Sequence, residues 1–373
     1  MPTSPTTWLE INLDAMSHNI AVVRGKLRPE TRLVFVVKAD AYGHGIAEIA
    51  TRAATCGIET FAVISLNEGN KIRRTGYTGT ILLLGTPEPV GGFCETLLEE
   101  RLEPTVSSSA EVQFLESFCT NRDVSLPVHL KIDTGLSRLG VRWTEAVSLA
   151  KTIAESPRLR LTSIYSHLAG YEDTDIDRQV AHFCQTLDAI RAEGIAVPMV
   201  HLVKSATVFR RPDLHLDQVR IGAAIYGVAT ADGGTAMETL RPVMSLKTKI
   251  VLVKTILPGE GISYCPQWFA PTETKVGILG MGYANGIPRA LSGKMNAIVS
   301  GRLVPQIGLI TMNHLMVDLS SVPNAAVGDT ATLLGKDGDV QITVNELAEA
   351  MNTNPREILC LLGNSNQKRS VIE

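Results

Sequence analysis

The sequence predicts an α/β chain: a (β/α)8 barrel over residues 1–237, then a mainly antiparallel β domain over residues 238–373. Three observations predict it. The chain has 373 residues, which suits a barrel of about 250 residues with a smaller domain beside it. Its first two thirds alternate short, continuous apolar runs with segments of helical spacing. Such runs are strands buried on both faces of a parallel sheet covered by helices. After about Met237 the pattern changes to strands punctuated by glycine, which reads as antiparallel structure.

Taken in order, Trp8–Leu13 reads as a strand, and Asp14 as the cap of a helix running through His18 to about Lys26. Leu33–Val37 is an apolar strand, with helical spacing over Gly45–Cys56 after it. Phe61–Ile64 is the next strand, followed by a helix near Asn67–Arg74. Thr80–Leu84, Val128–Ile132, Leu161–Tyr165, Val197–Val203 and Gln218–Ile221 continue the series. Ala231–Thr235 is the best linker candidate. Val243–Val253, Lys275–Gly280, Asn296–Ser300, Leu315–Leu319 and Asp329–Leu334 are the later strands. Helices near Val344–Met351 and Pro355–Leu362 close the chain.

Composition narrows the function classes. Hydrophobic residues make up 45% of the chain, ample for a large core, and the net charge of -3 comes with no basic block. Nucleic acid and anionic membranes are therefore not expected partners. The six cysteines are scattered with no CxxC pair, so a zinc site is not expected and reduced thiols are. The first residues lack a basic stretch followed by an apolar one, and no apolar run is long enough to span a bilayer. A cytoplasmic protein is the expectation.

Polar residues recur where the apolar strands end. Lys38 follows Leu33–Val37. Lys131 and Asp133 end Val128–Asp133, and Arg138 comes five residues later. His167 ends Leu161–His167, Lys204 and Ser205 end Val197–Ser205, and Arg220 closes Asp217–Arg220. In a barrel these ends converge on one face, where active sites are built. Singly, each admits an ordinary reading: a surface ion pair for the lysine, a hydrogen-bonded structural histidine, a loop at Gly43-His44-Gly45. Jointly they predict a barrel with a cationic mouth that a phosphate or similar anion would neutralise. No reaction follows from the pattern alone.

Val37-Lys38-Ala39-Asp40-Ala41-Tyr42-Gly43-His44-Gly45 closely resembles the cofactor-lysine signature of alanine racemases. His129–Gly140, Arg220–Gly227, Val243–Ile250, Pro258–Tyr264, Gly282–Arg289 and Met312–Asp318 are similar to further blocks of that family, in order over nearly the whole chain. The resemblance implies a pyridoxal 5'-phosphate enzyme that interconverts L- and D-alanine, with Lys38 holding the cofactor as a Schiff base. An amine nucleophile suits the coenzyme aldehyde. Racemisation needs a base on each face of the substrate Cα, and the resemblance assigns these to Lys38 and Tyr264. It implies Tyr42, Ser205 and the backbone of Gly222 and Ala223 around the phosphate, His167 near the ring, and Arg220 facing the pyridine nitrogen. Arg138 and the Met312 backbone would engage the substrate carboxylate. Lys131 matches a position often carbamylated. Tyr264, Tyr283 and Met312 would come from a second subunit, so a homodimer with shared sites is implied. Cell-wall D-alanine is the implied use.

Seven positions depart from the family pattern. Asp40 and Lys204 stand where Asn is usual, Arg356 where a phosphate-binding Tyr is usual, Ile221 for Pro and Cys265 for Gly. Thr311 and Asn313 flank Met312 in place of Cys and Asp. Arginine is a strong phosphate partner, so Arg356 is expected to keep that contact. Asn313 removes a negative charge and both donates and accepts hydrogen bonds. That suggests serine, or a broader set of small amino acids, as a substrate. A non-catalytic cofactor carrier would resemble the barrel alone. A decarboxylase would share the architecture but not the Lys38 and Arg220 blocks.

Overall fold

The computed structural model describes residues 6–170, 172–228 and 239–371. Eight parallel strands close into a barrel: β2 (Arg32–Val36), β3 (Thr60–Val63), β4 (Thr80–Leu83), β5 (Glu103–Val106), β6 (Leu126–Asp133), β8 (Leu159–Tyr165), β9 (Met199–His201) and β10 (Gln218–Ile221). Closure comes from β5 against β6, with Thr105 opposite His129, and from β10 against β2. A two-residue strand, β7 (Val141–Arg142), runs beside the end of β6.

Period two along each strand divides the barrel into an outside and an inside. In β2 and the residue after it, Leu33, Phe35 and Val37 pack into the main core with the helices, whereas Val34 and Val36 pack with Ala62 and Leu82 in a small cluster of their own. In β6 the main core takes Val128, Leu130 and Ile132. The alternate residues, His129 and Lys131, are buried as well. Part of the barrel interior is therefore polar.

The second sheet holds β1 (Thr7–Asn12), β11 (Met244–Ile256), β12 (Thr274–Leu279), β13 (Asn296–Val299), β14 (Arg302–Ile307), β15 (Leu315–Asp318), β16 (Thr330–Asp337), β17 (Val340–Ile342) and β18 (Lys368–Val371). Its pairings are antiparallel except β1 with β18. Here the structure corrects the expected strand order. The sequence places Trp8–Leu13 at the head of the barrel series, but β1 pairs with β11 and β18 in the second sheet. The stave that completes the barrel is β5, which the sequence analysis does not predict. Glu103-Pro104-Thr105-Val106 is short, opens on a charge and contains a proline, so it lacks the apolar run of its neighbours.

The first helix, Leu13–Arg24, is capped by Asn12 and not by Asp14. The Ala15 N–H donates to Asn12 Oδ1 at 2.7 Å. Asp14 lies in the first turn and pairs with Arg52 at 2.6 Å. The sequence also leaves β14, β17 and β18 unassigned. The linker candidate Ala231–Thr235 and the change of pattern at Met237 lie outside the described residues.

Candidate active site

A cavity of about 540 Å³ opens at the C-terminal ends of the barrel strands. Ten of the predicted site residues line it: Lys38, Tyr42, Lys131, Arg138, His167, Ser205, Arg220, Gly222, Ala223 and Arg356. Lys204 lines it too. Three lysines and three arginines therefore face one cavity whose lining includes no carboxylate among the described residues.

Lys38 leaves β2 and enters an unusual turn. Ala39, Asp40, Ala41 and Tyr42 all have φ between 53° and 55°, the left-handed region. For L-residues this costs roughly 1–2 kcal/mol each and is normally visited singly. Specific contacts hold the turn. The Ala41 N–H donates to Val37 O at 2.8 Å, the Gly43 N–H to Ala39 O at 2.9 Å and the Gly45 N–H to Asp40 O at 3.0 Å. Asp40 Oδ1 accepts the Ile46 N–H at 3.0 Å, and Asp40 Oδ2 pairs with Lys368 Nζ of β18 at 3.0 Å. Asp and Asn tolerate left-handed backbone better than most residues, so Asp40 keeps the usual tolerance and adds an ion pair to the second sheet. Before the turn, Glu68 clamps two loops: its oxygens accept the Ala39 N–H at 2.6 Å and the Ile64 N–H at 2.8 Å. Burial and the Arg138 charge lower the Lys38 pKa.

The turn packs against the helix Pro355–Ser365 at a glycine contact. A side-chain carbon on Gly43 would meet the Leu359 carbonyl, and one on Gly363 would meet the Gly43 backbone. This close approach carries Arg356, in the helix's first turn, to the cavity. Gly363→Ala is expected to cost about 1–3 kcal/mol through overpacking. Denaturant unfolding beside the unmodified protein checks this.

Arg138 sits on a loop organised by Asp133, whose Oδ1 accepts the backbone N–H of Gly135, Leu136 and Ser137 at 2.9, 2.9 and 3.1 Å. Tyr42, Ser205 and Gly222 converge on the other side. Ser205 Oγ accepts the Gly222 N–H at 3.2 Å, and the Tyr42 hydroxyl lies where a Gly222 side chain would begin. Any larger residue there would have to push the Tyr42 hydroxyl aside.

Arg220 is 4% exposed, and both its terminal nitrogens are hydrogen-bonded. It donates to His201 Nδ1 at 2.6 Å, to Ser166 O at 2.5 Å and to His167 Nδ1 at 3.3 Å. Its guanidinium lies 4.8 Å from the Tyr165 ring centre, and Tyr165 stacks on His201 at 4.7 Å. Burial lowers Arg220 to about 10, so it stays charged at neutral pH. Burial and Arg220 hold His167 and His201 well below the usual histidine range, so both are neutral. Lys131 lies 5.6 Å from the Tyr165 ring centre; burial, then Arg220 and Arg138, bring it down to about 8.

Four predicted residues do not line the cavity: Tyr264, Tyr283, Met312 and Asn313. Tyr264 is 73% exposed, and Met312, Tyr283 and Asn313 are exposed as well. Ser263 and Cys265, either side of Tyr264, have φ of 69° and 42°.

Family profiles match almost end to end: "Alanine racemase, N-terminal domain" over residues 11–230 and "Alanine racemase, C-terminal domain" over residues 243–370. The chain belongs to the alanine racemase family. The alanine racemase of Nostoc sp. is 39% identical over 96% of this chain and 94% of its own, and that of Synechocystis sp. 38% over 95% of each. Among solved structures, alanine racemase from Bacillus anthracis with bound L-Ala-P superposes with a TM-score of 0.91 at 29% identity, covering 100% of this chain and 96% of that one. The enzyme from D-cycloserine-producing Streptomyces lavendulae gives 0.91 at 31%, covering 99% and 98%. The resemblance noted on the Lys38 signature is thus a family membership that takes in both sheets of the alanine racemase fold.

Glu68, Tyr165, His201 and the loop-building role of Asp133 escape the sequence analysis. Glu68 had a legible signal, because Ser65-Leu66-Asn67-Glu68 has the spacing of a helix capping box. Tyr165 and His201 end apolar strands and look like core until the inward face is known.

Proposed function

We propose that this chain interconverts L- and D-alanine using pyridoxal 5'-phosphate held in the barrel-mouth cavity. The observation that carries the cofactor is the lining of six cations with no carboxylate among the described residues, which suits a phosphate, a ring oxygen and a substrate carboxylate together. Lys38 is the attachment amine; its lowered pKa makes the neutral, nucleophilic form more available. Tyr42, Ser205, Arg356 and the backbone of Gly222 and Ala223 hold the phosphate. His167 packs near the ring. When bound, the cofactor delocalises the electrons left on the substrate Cα.

The chain's own groups do the rest. Lys38 Nζ takes or returns a proton on one face of Cα, and the hydroxyl of Tyr264 serves the other. Tyr264, Tyr283 and Met312 reach the cavity from a second copy of the chain, so the working unit is a homodimer with shared sites. Their exposure in a single copy supports this. Arg138 and the Met312 backbone take the substrate carboxylate. Arg220 faces the ring nitrogen and keeps it unprotonated. Lys131, at about 8, has enough neutral amine near neutral pH to add carbon dioxide, releasing one proton and leaving a carbamate between Arg138 and Arg220. No described helix is long and apolar enough to cross a membrane. The proposed role is that of a cytoplasmic enzyme supplying D-alanine to the cell wall.

The test is formation of the D-enantiomer from L-alanine by the cofactor-loaded protein. Equimolar D- and L-alanine at the end point supports the reading; unchanged L-alanine removes it. Asn313, exposed beside Met312, favours serine as a slower second substrate. D-Serine formation no faster than a buffer blank removes that extension.

Anion binding gives a second check. Inorganic phosphate is expected to raise the Tm of the cofactor-free protein, worth about 2.7 kcal/mol at one hundred times its Kd. Arg356→Tyr should reduce the gain, and an equal gain in both proteins would take Arg356 off the phosphate.

A further inference from the structure

From Arg220 in the cavity wall, five polar side chains form one line through the barrel interior, and the proposed chemistry leaves the other four unused. Arg220 Nη1 donates to His201 Nδ1 at 2.6 Å. His201 Nε2 lies 2.9 Å from Ser163 Oγ, and Ser163 Oγ lies 2.6 Å from His129 Nδ1. His129 Nε2 lies 2.8 Å from Glu103 Oε2. The residues come from β10, β9, β8, β6 and β5, five of the eight staves. Register sets His129 directly opposite Ser163, while the other contacts run diagonally: Thr105, Tyr165 and Gln218 are the residues opposite His129, His201 and His201, each two positions from Glu103, Ser163 and Arg220. All but Glu103 are at most 4% exposed; Glu103 reaches the solvent side with 18% of its side chain.

The two ends decide where every hydrogen sits. A guanidinium has only donors and an ionised carboxylate only acceptors. Arg220 therefore requires a bare Nδ1 on His201, which puts that ring's proton on Nε2, facing Ser163. Ser163 accepts it and gives its own hydrogen to His129 Nδ1. The His129 proton is then on Nε2, donated to Glu103. All hydrogens point from Arg220 to Glu103, and among the described residues no fully buried polar side-chain atom of the line lacks a partner. A second proton on His201 would face the Arg220 donor, and one on His129 would compete with the Ser163 hydroxyl hydrogen.

No carboxylate is among the hydrogen-bond partners of Arg220 in the described residues. Glu103 supplies a negative charge at a distance, transmitted through aligned dipoles that polarise one another. A carboxylate directly on the guanidinium would take two of its donors in a bidentate pair. A remote one takes none.

We infer that Glu103, Ser163 and His129 are positioning residues for Arg220, acting through a one-way hydrogen-bonded line that fixes the neutral, Nε2-protonated form of His201. The catalytic consequence rests on the reading in which Arg220 faces the cofactor ring; the line itself does not depend on it. In that reading, a loosened guanidinium weakens control of the ring nitrogen, which alters turnover more than substrate binding.

The test uses full-length protein labelled with 15N at histidine and arginine, first without cofactor. Both His129 and His201 are expected to be neutral with the proton on Nε2, and the Arg220 Nη hydrogens to exchange slowly with water. Ser163→Ala should scramble the His129 tautomer and speed exchange at Arg220; Ser163→Thr, which keeps the hydroxyl, should restore both. In the cofactor-loaded enzyme Ser163→Ala should lower kcat about tenfold, as loss of an outer hydrogen-bond partner does elsewhere. KM for alanine should hold, and the absorbance band of the bound cofactor should change, with Ser163→Thr again restoring both. A charged or Nδ1-protonated His129 in the parent protein overturns the inference, as does unchanged Arg220 exchange in a folded Ser163→Ala variant. If the exchange changes but kcat and the band do not, the catalytic consequence falls while the racemase reading stands. If the parent protein racemises nothing, the racemase reading falls and the exchange data alone decide the positioning.

Discussion

Lys38→Ala is expected to lower alanine racemisation by about four orders of magnitude and to leave the protein unable to hold the cofactor covalently. The cavity holds two other lysines, Lys131 and Lys204, so loss of one amine does not by itself remove all amines. Position makes Lys38 distinct. It stands immediately before the left-handed residues, with the next backbone N–H tied to Glu68 at 2.6 Å and the turn tied to β18 through Asp40 and Lys368. Lys204 Nζ instead points toward the Gly170 carbonyl at 3.5 Å, and Lys131 lies over Tyr165. Neither is placed to take over. Turnover is measured as loss of optical rotation of L-alanine, and attachment by absorbance after removal of free cofactor. Retained turnover would contradict the assignment.

Tyr264→Phe is expected to lower turnover by about two to four orders of magnitude, because in the proposed reading it removes the proton carrier on one face of Cα while leaving the ring. Its more telling use is in combination. Tyr264 lies outside the cavity of its own chain, so if a second copy supplies it, two inactive variants can repair one another. In a mixed dimer of Lys38→Ala and Tyr264→Phe chains, one site carries both defects and the other carries neither. Random reassortment makes half the dimers mixed, so about one quarter of the parent activity is expected after unfolding and refolding the mixture. A mixture as inactive as its components would show that the sites are not shared.

Much of this was legible in the sequence, for physical reasons. Barrel staves such as Leu33–Val37 are apolar on both faces and announce themselves. Polar residues ending those runs mark the mouth, which is how Lys38, Lys131, His167, Ser205 and Arg220 are found together. β5 was hidden because its inward residues, Glu103 and Thr105, face a polar interior and not an apolar one. The same cause hides the line from Arg220 to Glu103: Ser163 and His201 alternate with core residues, and only barrel closure shows that they face each other. β1 was misplaced because a six-residue strand carries no mark of which sheet it joins. The left-handed turn left a partial trace, since Asp40 and Gly43 suit it, but Ala39 and Ala41 do not.

The measurement that bears most directly on the central claim is to fix the cofactor in place with borohydride, digest the protein and find the modified peptide by mass. The account predicts one modified lysine, Lys38, in the peptide that contains Ala39-Asp40-Ala41-Tyr42. Modification at Lys131 or Lys204, or at no lysine in a protein that racemises alanine, would contradict it.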